Sequence, residues 1–385
     1  MPNKRTFIKI LPELLHFSCL FSFRHPSVPL QQKVTMATSI STTFESIYLT
    51  GNLPEKVMVT TNQQSITIEV TVNGDVVFSS VYYPYNQMVT LCDVRSVVEQ
   101  AMMDEGLDMA TMEIIATERN GTTATVQGVK VIYSEYKSPY PTATFLLRSF
   151  LTLRKSAVIP RNGYMMLYNH SKAYVQSNNY AKIYYRLRNS SGTVYTCNIN
   201  LSATQTQREE IVSARLTHAY FKQLVDNHKG VDCLVAGVEY HIGQRRFNIF
   251  FTDERPTELF RFINAFGLVE TYYLYGATTT KRETDRSEAV CGRMSEYYDE
   301  TILIKHEVET APLPYDEAMW LSQMLTARWV AIQIADGEDA QKETAEVMIG
   351  DIASEVTDSR NDLIRLKFSW KYAEGTEWMK DNNMF

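Results

Sequence analysis

Apolar and polar residues alternate most regularly in "SITIEVTVNGDVVFSSVYY", where Ile66, Ile68, Val70 and Val72 are interleaved with Thr67, Glu69 and Thr71. Asn73-Gly74 follows, and Val76 to Val81 return. A period of two places the apolar set on one face of a strand, and Asn-Gly accepts the two positive φ angles of a type I′ turn, so this stretch predicts a β-hairpin. In "MVTLCDVRSVVEQAMMDEG" the period lengthens. Val94, Val97, Val98, Ala101 and Met102 fall on one helical face, with Asp93 placed to cap and Gly106 to terminate. Two strands are predicted next, in "MEIIATE" and "TVQGVKVIYSEY".

The order of elements then recurs with little residue identity. "YAKIYYRLRNSSGTVYTCNINL" reads as strand, turn and strand, "LTHAYFKQLVDNHKG" as a helix ending near Gly230, and "CLVAGVEYHIG" and "RFNIFFT" as closing strands. From "TDERPTE" onward strands are predicted in "VETYYLYG", "ETILIKHEVE", "WVAIQIA" and "DLIRLKFSWKY". Between the second and third of these, "PLPYDEAMWLSQMLTARW" reads as a helix: Pro314 suits a first turn, Asp316 and Glu317 favour an N-terminus, and Ala318, Leu321, Met324 and Leu325 form the apolar stripe. The expected fold class is mainly β with a few short helices (α+β), built of tandem β-sandwich-like domains that each carry a hairpin and one short helix. The expected divisions are 1–40, an N-terminal extension; 41–137, a first β-domain; 140–254, a second that repeats its pattern; and 255–385, a β-rich third with one helix. Pro139 and Pro141 restrict the linker between the first two.

Composition sharpens this picture in two places. Tyr occurs 23 times against 4 Trp, a bias that suits half-buried strand surfaces. The net charge of −6, with no clustered Lys and Arg, gives no general attraction to nucleic acid or anionic lipid. "MPNKRTFIKILPELLHFSCLFSF" is too short and too charged to span a bilayer, and Lys9, Pro12, Glu13 and His16 break it as a secretory signal. Regular patterning begins after Met36, which is the expected natural start; a translated N-terminal tail is the alternative.

Enzyme signatures are missing: the chain holds no G-x-S-x-G, H-E-x-x-H, P-loop or G-x-G-x-x-G. The histidines form no metal-ligand spacing, and His241 reads as a strand-surface residue. No cofactor or metal site is therefore read, and no catalytic residue is named. The acidic clusters at 252–255 and 297–300 read as solvated turns, and a hydrolase would need a carboxylate pair brought together in a cleft. Cys19, Cys92, Cys197, Cys233 and Cys291 are scattered without a C-x-x-C pair and are expected to pack as small reduced hydrophobes. The Asn-x-Ser/Thr triplets at Asn120, Asn169 and Asn189 would matter only on secretion from a eukaryote.

Two tyrosine groups are the candidate sites. Tyr82, Tyr83 and Tyr85 flank Pro84 at a strand end, where flat rings with hydroxyls could stack on a sugar or anchor a protein; packing at the sandwich edge is the structural alternative. In "FINAFGLVETYYLYG" the alternating positions Leu268, Tyr272, Leu274 and Val269, Tyr273, Tyr275 make both faces apolar or aromatic. Tyr272, Tyr273 and Tyr275 are thus expected at a junction with an adjacent domain or another subunit.

Arg261 to Ile332 carries a resemblance. The Asn264-Ala265-Phe266-Gly267 turn, Glu270 leading into an aromatic strand, and the "PLPYDEAMWLSQML" helix before a strand resemble uncharacterised phage-tail or virion-associated proteins encoded in prophage-like regions of gut bacteria. The resemblance implies a non-enzymatic virion part found in the particle, or in the bacterial cytoplasm before assembly, whose partners are further copies of itself and neighbouring tail proteins. A glycan- or cell-surface-binding module, secreted or surface-located, is the alternative.

Overall fold

The computed structural model describes residues 37–171, 180–187, 194–200, 210–229, 233–292, 294–333, 344–353 and 363–373. Residues 1–36 of the N-terminal extension, Cys19 among them, Asn189 and the Asn-Ser-Ser-Gly turn lie outside them; residues 37–40, expected in the extension, belong instead to the first unit, where Ser39–Ile40 pairs with Thr60 and Val59. The described residues from Ala37 onward form one compact unit. It is mainly β, and among the described residues there are four short α-helices: α1 (Val94–Asp104), α2 (Thr142–Arg148), α3 (His218–Lys229) and α4 (Tyr315–Thr326).

The hairpin pairs Ile66–Val72 with Asp75–Tyr82 across Asn73 and Gly74, whose φ angles are 51° and 94°. Ile66, Ile68, Val70 and Val72 are buried in the core, as period two requires. Gly106, at φ 67°, ends α1. Asp93 departs from its expected role: it precedes α1 in the left-handed conformation at φ 64°, and its side chain makes no capping bond. Strand Met88–Cys92 stops one residue before the helix, so Asp93 alone turns the chain, in a conformation that Asp tolerates better than most residues. α4 starts one residue later than expected, with Pro314 as its N-cap and Asp316 and Glu317 in its first turn.

One topology occurs twice. The first five-stranded sheet runs Ile47–Leu49, Thr123–Ile132, Met109–Glu118, Ile66–Val72, Asp75–Tyr82, and the second runs Ser156–Pro160, Arg245–Thr252, Cys233–Ile242, Tyr180–Leu187, Val194–Asn200. In each five-stranded sheet the strand earliest in the chain, Ile47–Leu49 or Ser156–Pro160, lies parallel to the last, and all other pairs are antiparallel. In each, a separate smaller sheet joins the strand before the hairpin to the strand before the helix, Lys56–Thr60 to Met88–Cys92 and Tyr164–His170 to Ile211–Thr217. α1 contributes Val94, Val98 and Met102 to the first core, and α3 contributes Phe221 and Val225 to the second.

The third sheet has seven strands, in the order Val269–Leu274, Glu258–Ile263, Val330–Gln333, Thr344–Ala353, Lys367–Tyr372, Met294–Thr310, Gly276–Cys291. α4 buries Trp320, Leu321 and Met324 in the core of this sheet, where Trp320 packs on Phe262 at 5.5 Å. A further cluster ties the regions together: Phe266 and Leu268 from the Asn264–Gly267 turn enter a group made by Leu49, Ile132, Phe145, Leu146 and Leu151. Phe266 stacks on Phe145 at 5.8 Å and meets Tyr136 edge-on at 6.1 Å.

His218 opens α3 buried beneath an edge-on contact with Phe251 at 5.1 Å. Burial pushes its pKa below the ordinary 6.5, Arg161 and Lys222 add to this, and Asp253 and a backbone bond oppose it. The unfolded chain therefore binds a proton at this imidazole more readily than the folded one, and stability falls as pH drops through about 6.5. His218→Asn is expected to reduce the loss of urea midpoint between neutral pH and mildly acid pH. An unchanged pH profile in that variant would count against this assignment.

Candidate functional site

The first tyrosine group lies at a turn. Tyr85 and Met88 exchange two backbone hydrogen bonds of 3.0 Å around Asn86 and Gln87, both in the left-handed region. This turn presents Tyr83 and Tyr85 at 79% and 81% exposure, next to half-exposed Met88, whereas Tyr82 is partly buried and burial pushes its phenol pKa up. The structure thus separates the group, leaving two rings available to a partner and one packed.

The second group is covered by the chain itself. Every residue from Glu270 to Leu274 is buried. Tyr272 meets Trp320 edge-on at 5.9 Å. The Tyr273 oxygen accepts the Tyr164 N–H and donates to the Tyr164 carbonyl, both at 2.8 Å. Gly163 makes room for it, since a Cβ there would stand 2.7 Å from that oxygen. Tyr275 is partly buried, and burial pushes its phenol pKa up, as it does for Tyr272 and for Tyr273, the last to about 12.

Beneath this strand lies a polar network. The Glu270 carboxylate accepts from Trp320 Nε1 at 2.8 Å and from Asn264 Nδ2 at 2.5 Å, and Arg154 Nε lies 3.6 Å away. Arg154 also donates to the Thr271 carbonyl at 3.2 Å, and its guanidinium lies 4.0 Å from the centre of the Trp320 ring. Asn264 Oδ1 takes the N–H groups of Phe266 and Leu268 and holds the turn. All four side chains are almost fully buried. With every Glu270 contact taken by structural partners, this is a positioning network for the turn rather than a reaction centre.

A second exposed feature is half legible in the sequence pattern: "ETILIKHEVE" forms the inner part of the strand Met294–Thr310, whereas its partner Gly276–Cys291 escapes. Gly276–Cys291 and Met294–Thr310 pair along their whole length, but Lys367–Tyr372 flanks the second strand only from His306 to Glu309. Among the described residues, the eleven remaining residues of the first strand from Lys281 outward thus pair with one strand alone, in a ribbon about 35 Å long at the usual rise whose base buries Ile304. Its outer part exposes Val290, Met294, Tyr297 and Tyr298 at 63–73%. A bulge at Ser287/Glu288 leaves Tyr298 without a directly opposed residue, and Arg286 lies over the Tyr297 ring at 5.3 Å. Cys92 and Cys291 are exposed free thiols rather than packing residues, because one ends a strand on its outer face and the other closes the ribbon.

A cleft of about 420 Å3 opens where the C-terminal ends of α1 and α4 meet the Asn264–Gly267 turn. Met102, Leu107, Ile263 and Ala327 line its apolar part. At its mouth Arg328 pairs with Glu135 at 2.8 Å. Gln323 Oε1 accepts the Ala265 N–H at 3.3 Å, which turns its buried Nε2 donor to a position with no acceptor among the described residues.

Other candidates resolve into structure. His241 stacks on Tyr180 at 4.2 Å, and buried Asn169 receives a hydrogen bond from Arg245. Among the described residues no three His, Cys, Asp or Glu side chains gather as a metal site, and no helix is long and apolar enough to cross a membrane.

No family model matches the chain, and no curated protein matches it. A solved structure described as "Structural insight into host cell surface retention of a 1.5-MDa bacterial ice-binding adhesin" aligns with 73% of this chain and 94% of that chain, at 12% identity and a TM-score of 0.17. A likeness at that score carries no argument about fold or function.

Proposed function

We propose that the chain is a non-enzymatic structural protein of a phage or phage-like particle, assembling with copies of itself and neighbouring tail proteins through β-domain contacts. The single observation that supports this reading best is the ribbon between Gly276 and Thr310, which leaves its sheet and carries exposed Val290, Met294, Tyr297 and Tyr298. A two-stranded ribbon is marginally stable alone in water, and an exposed apolar cluster at its end gains stability from a partner's surface. The resemblance of Arg261–Ile332 to virion-associated proteins supplies the setting. Light scattering coupled to size exclusion is expected to give a mass above one chain for the full protein. Substituting Val290, Met294, Tyr297 and Tyr298 together by serine is expected to return it to one chain mass. Association that is indifferent to those four substitutions would overturn the ribbon's role.

A second reading, a glycan- or cell-surface-binding module, is favoured by Tyr83 and Tyr85, which stand out beside Pro84. It predicts saccharide binding in an array screen, lost in the Tyr83→Ala/Tyr85→Ala variant with the fold unchanged.

A further inference from the structure

The free edge of the ribbon is complementary to itself. We propose that the outer part of Gly276–Cys291 pairs antiparallel with the same segment of a second copy of this chain, about a two-fold axis at Ser287, joining two ribbons into one four-stranded sheet; this rests on the assembly reading above. Among the described residues Gly276–Cys291 is the end strand of its sheet. Backbone N–H and C=O groups of alternate residues along it therefore face outward, a template for a further strand.

Symmetry restricts the register. A two-fold axis normal to a sheet carries each face onto itself, so a residue must oppose its own copy at the axis if facing side chains are to lie on the same side. The bulge leaves this count intact, because its extra residue, Tyr298, belongs to the other strand. Centred on Ser287, the pairing runs from Glu283 to Cys291 and sets Arg286 opposite Glu288 of the second copy, and the reverse. Both side chains are exposed. Opposite charges directly across a strand pair stabilise it, and like charges destabilise it. One step either way sets Arg286 against Arg286 or Glu288 against Glu288, and centring on Thr284 sets Arg282 against Arg286. Charges that guard this edge against indiscriminate pairing thus select the register centred on Ser287 over its neighbours.

The apolar residues agree with this register. Arg286, Glu288 and Val290 alternate onto one face, and Tyr297, directly opposite Glu288, shares it, with the Arg286 guanidinium 5.3 Å from the ring centre. Two-fold pairing brings Tyr297 and Val290 of both copies onto one face of the joined sheet. Each row across the axis then reads Tyr297, Glu288, Arg286 of the second copy: a ring, a carboxylate and a guanidinium side by side. A two-stranded ribbon is marginal in water, whereas three or more strands with a hydrophobic face hold together. The pairing supplies both the strands and the face. Because the same patch serves on each side, the contact is isologous and closes at two copies.

The test uses the full chain and exchanges charges at two exposed positions, where substitution leaves the fold intact. Arg286→Glu and Glu288→Arg each turn both ion pairs into like-charge pairs, and each is expected to weaken self-association at least about tenfold in sedimentation equilibrium. Arg286→Glu/Glu288→Arg restores opposite signs and is expected to associate as the wild type does. Mixing the two single variants is expected to give a one-to-one heterodimer tighter than either homodimer, since the acidic edge of one meets the basic edge of the other. Wild-type association in both single variants would overturn the inference, and would leave the ribbon's role standing if the fourfold serine variant still falls to one chain mass. Weakening that neither the double exchange nor the mixture rescues would overturn it as well. A wild-type chain that remains monomeric would overturn both this pairing and the assembly reading.

Discussion

Replacing Phe266 by alanine is expected to destabilise the protein by about 3–5 kcal/mol, the range for deleting a buried aromatic ring. Phe266 is fully buried and belongs to a cluster drawn from four separate stretches of chain, at Leu49, Ile132, Phe145–Leu151 and its own turn. Asn264 holds the backbone on both sides of it, and Gly267, at φ 75°, lets the chain return past Tyr133. The turn is thus fixed in shape, and the surroundings cannot readily collapse into the space the ring leaves. Urea unfolding followed by tryptophan fluorescence and by circular dichroism measures the loss. A change below about 1 kcal/mol would mean that the cluster relaxes and that the turn is not the tie between regions. Phe266→Leu, which keeps most of the apolar volume, should lose less.

Glu270→Ala is expected to cost about 3–5 kcal/mol by a different route, because it leaves the buried Arg154 guanidinium without its carboxylate. Burial already pushes the Arg154 pKa down, with Glu270 as the strongest opposing influence. The same substitution takes the acceptor from Trp320 Nε1 and one partner from Asn264. Arg154→Met/Glu270→Leu is expected to recover much of the loss, since it removes both charges and fills the space with apolar atoms. If the double variant is as unstable as Glu270→Ala, the carboxylate acts through Asn264 and the turn, and the ion pair is secondary.

These two sites differ in how far the sequence reveals them. The stretch "FINAFGLVETYYLYG" is legible as a strand covered on both faces, because Leu268 to Leu274 is apolar at odd and even positions alike. The depth at which Glu270 sits is not, since a carboxylate in an apolar run becomes intelligible only when Arg154, over a hundred residues earlier, arrives beside it. The hairpin around Asn73-Gly74 and the helices α1, α3 and α4 follow from local period and turn chemistry. The strand Gly276–Cys291 does not. In "TTTKRETDRSEAV" there is no apolar alternation to read, and only its Thr content hints at a strand. The cleft has no sequence signal at all, being made by two helix ends and a turn that meet in space. Asp93 misleads for a related reason: a capping residue type fits the pattern, but the one-residue connection to the preceding strand dictates its backbone.

The repeated topology has a mechanical meaning. In each of the two five-stranded sheets the strand earliest in the chain, Ile47–Leu49 or Ser156–Pro160, lies parallel to the last, Thr123–Ile132 or Arg245–Thr252. Tension applied along the chain draws such a pair in opposite directions along their shared axis, so their hydrogen bonds bear the force together instead of opening one after another from an end. The pairing is short in the first unit, Ile47 to Leu49 against Lys130 to Ile132, and longer in the second, Ser156 to Pro160 against Asn248 to Thr252. In the first unit the clamp runs on past the strands, through the Lys130 N–H to the Ser46 carbonyl, Thr50 Oγ1 to the Ser134 carbonyl and the two bonds between Asn52 and Ser138, so both units hold their ends in shear.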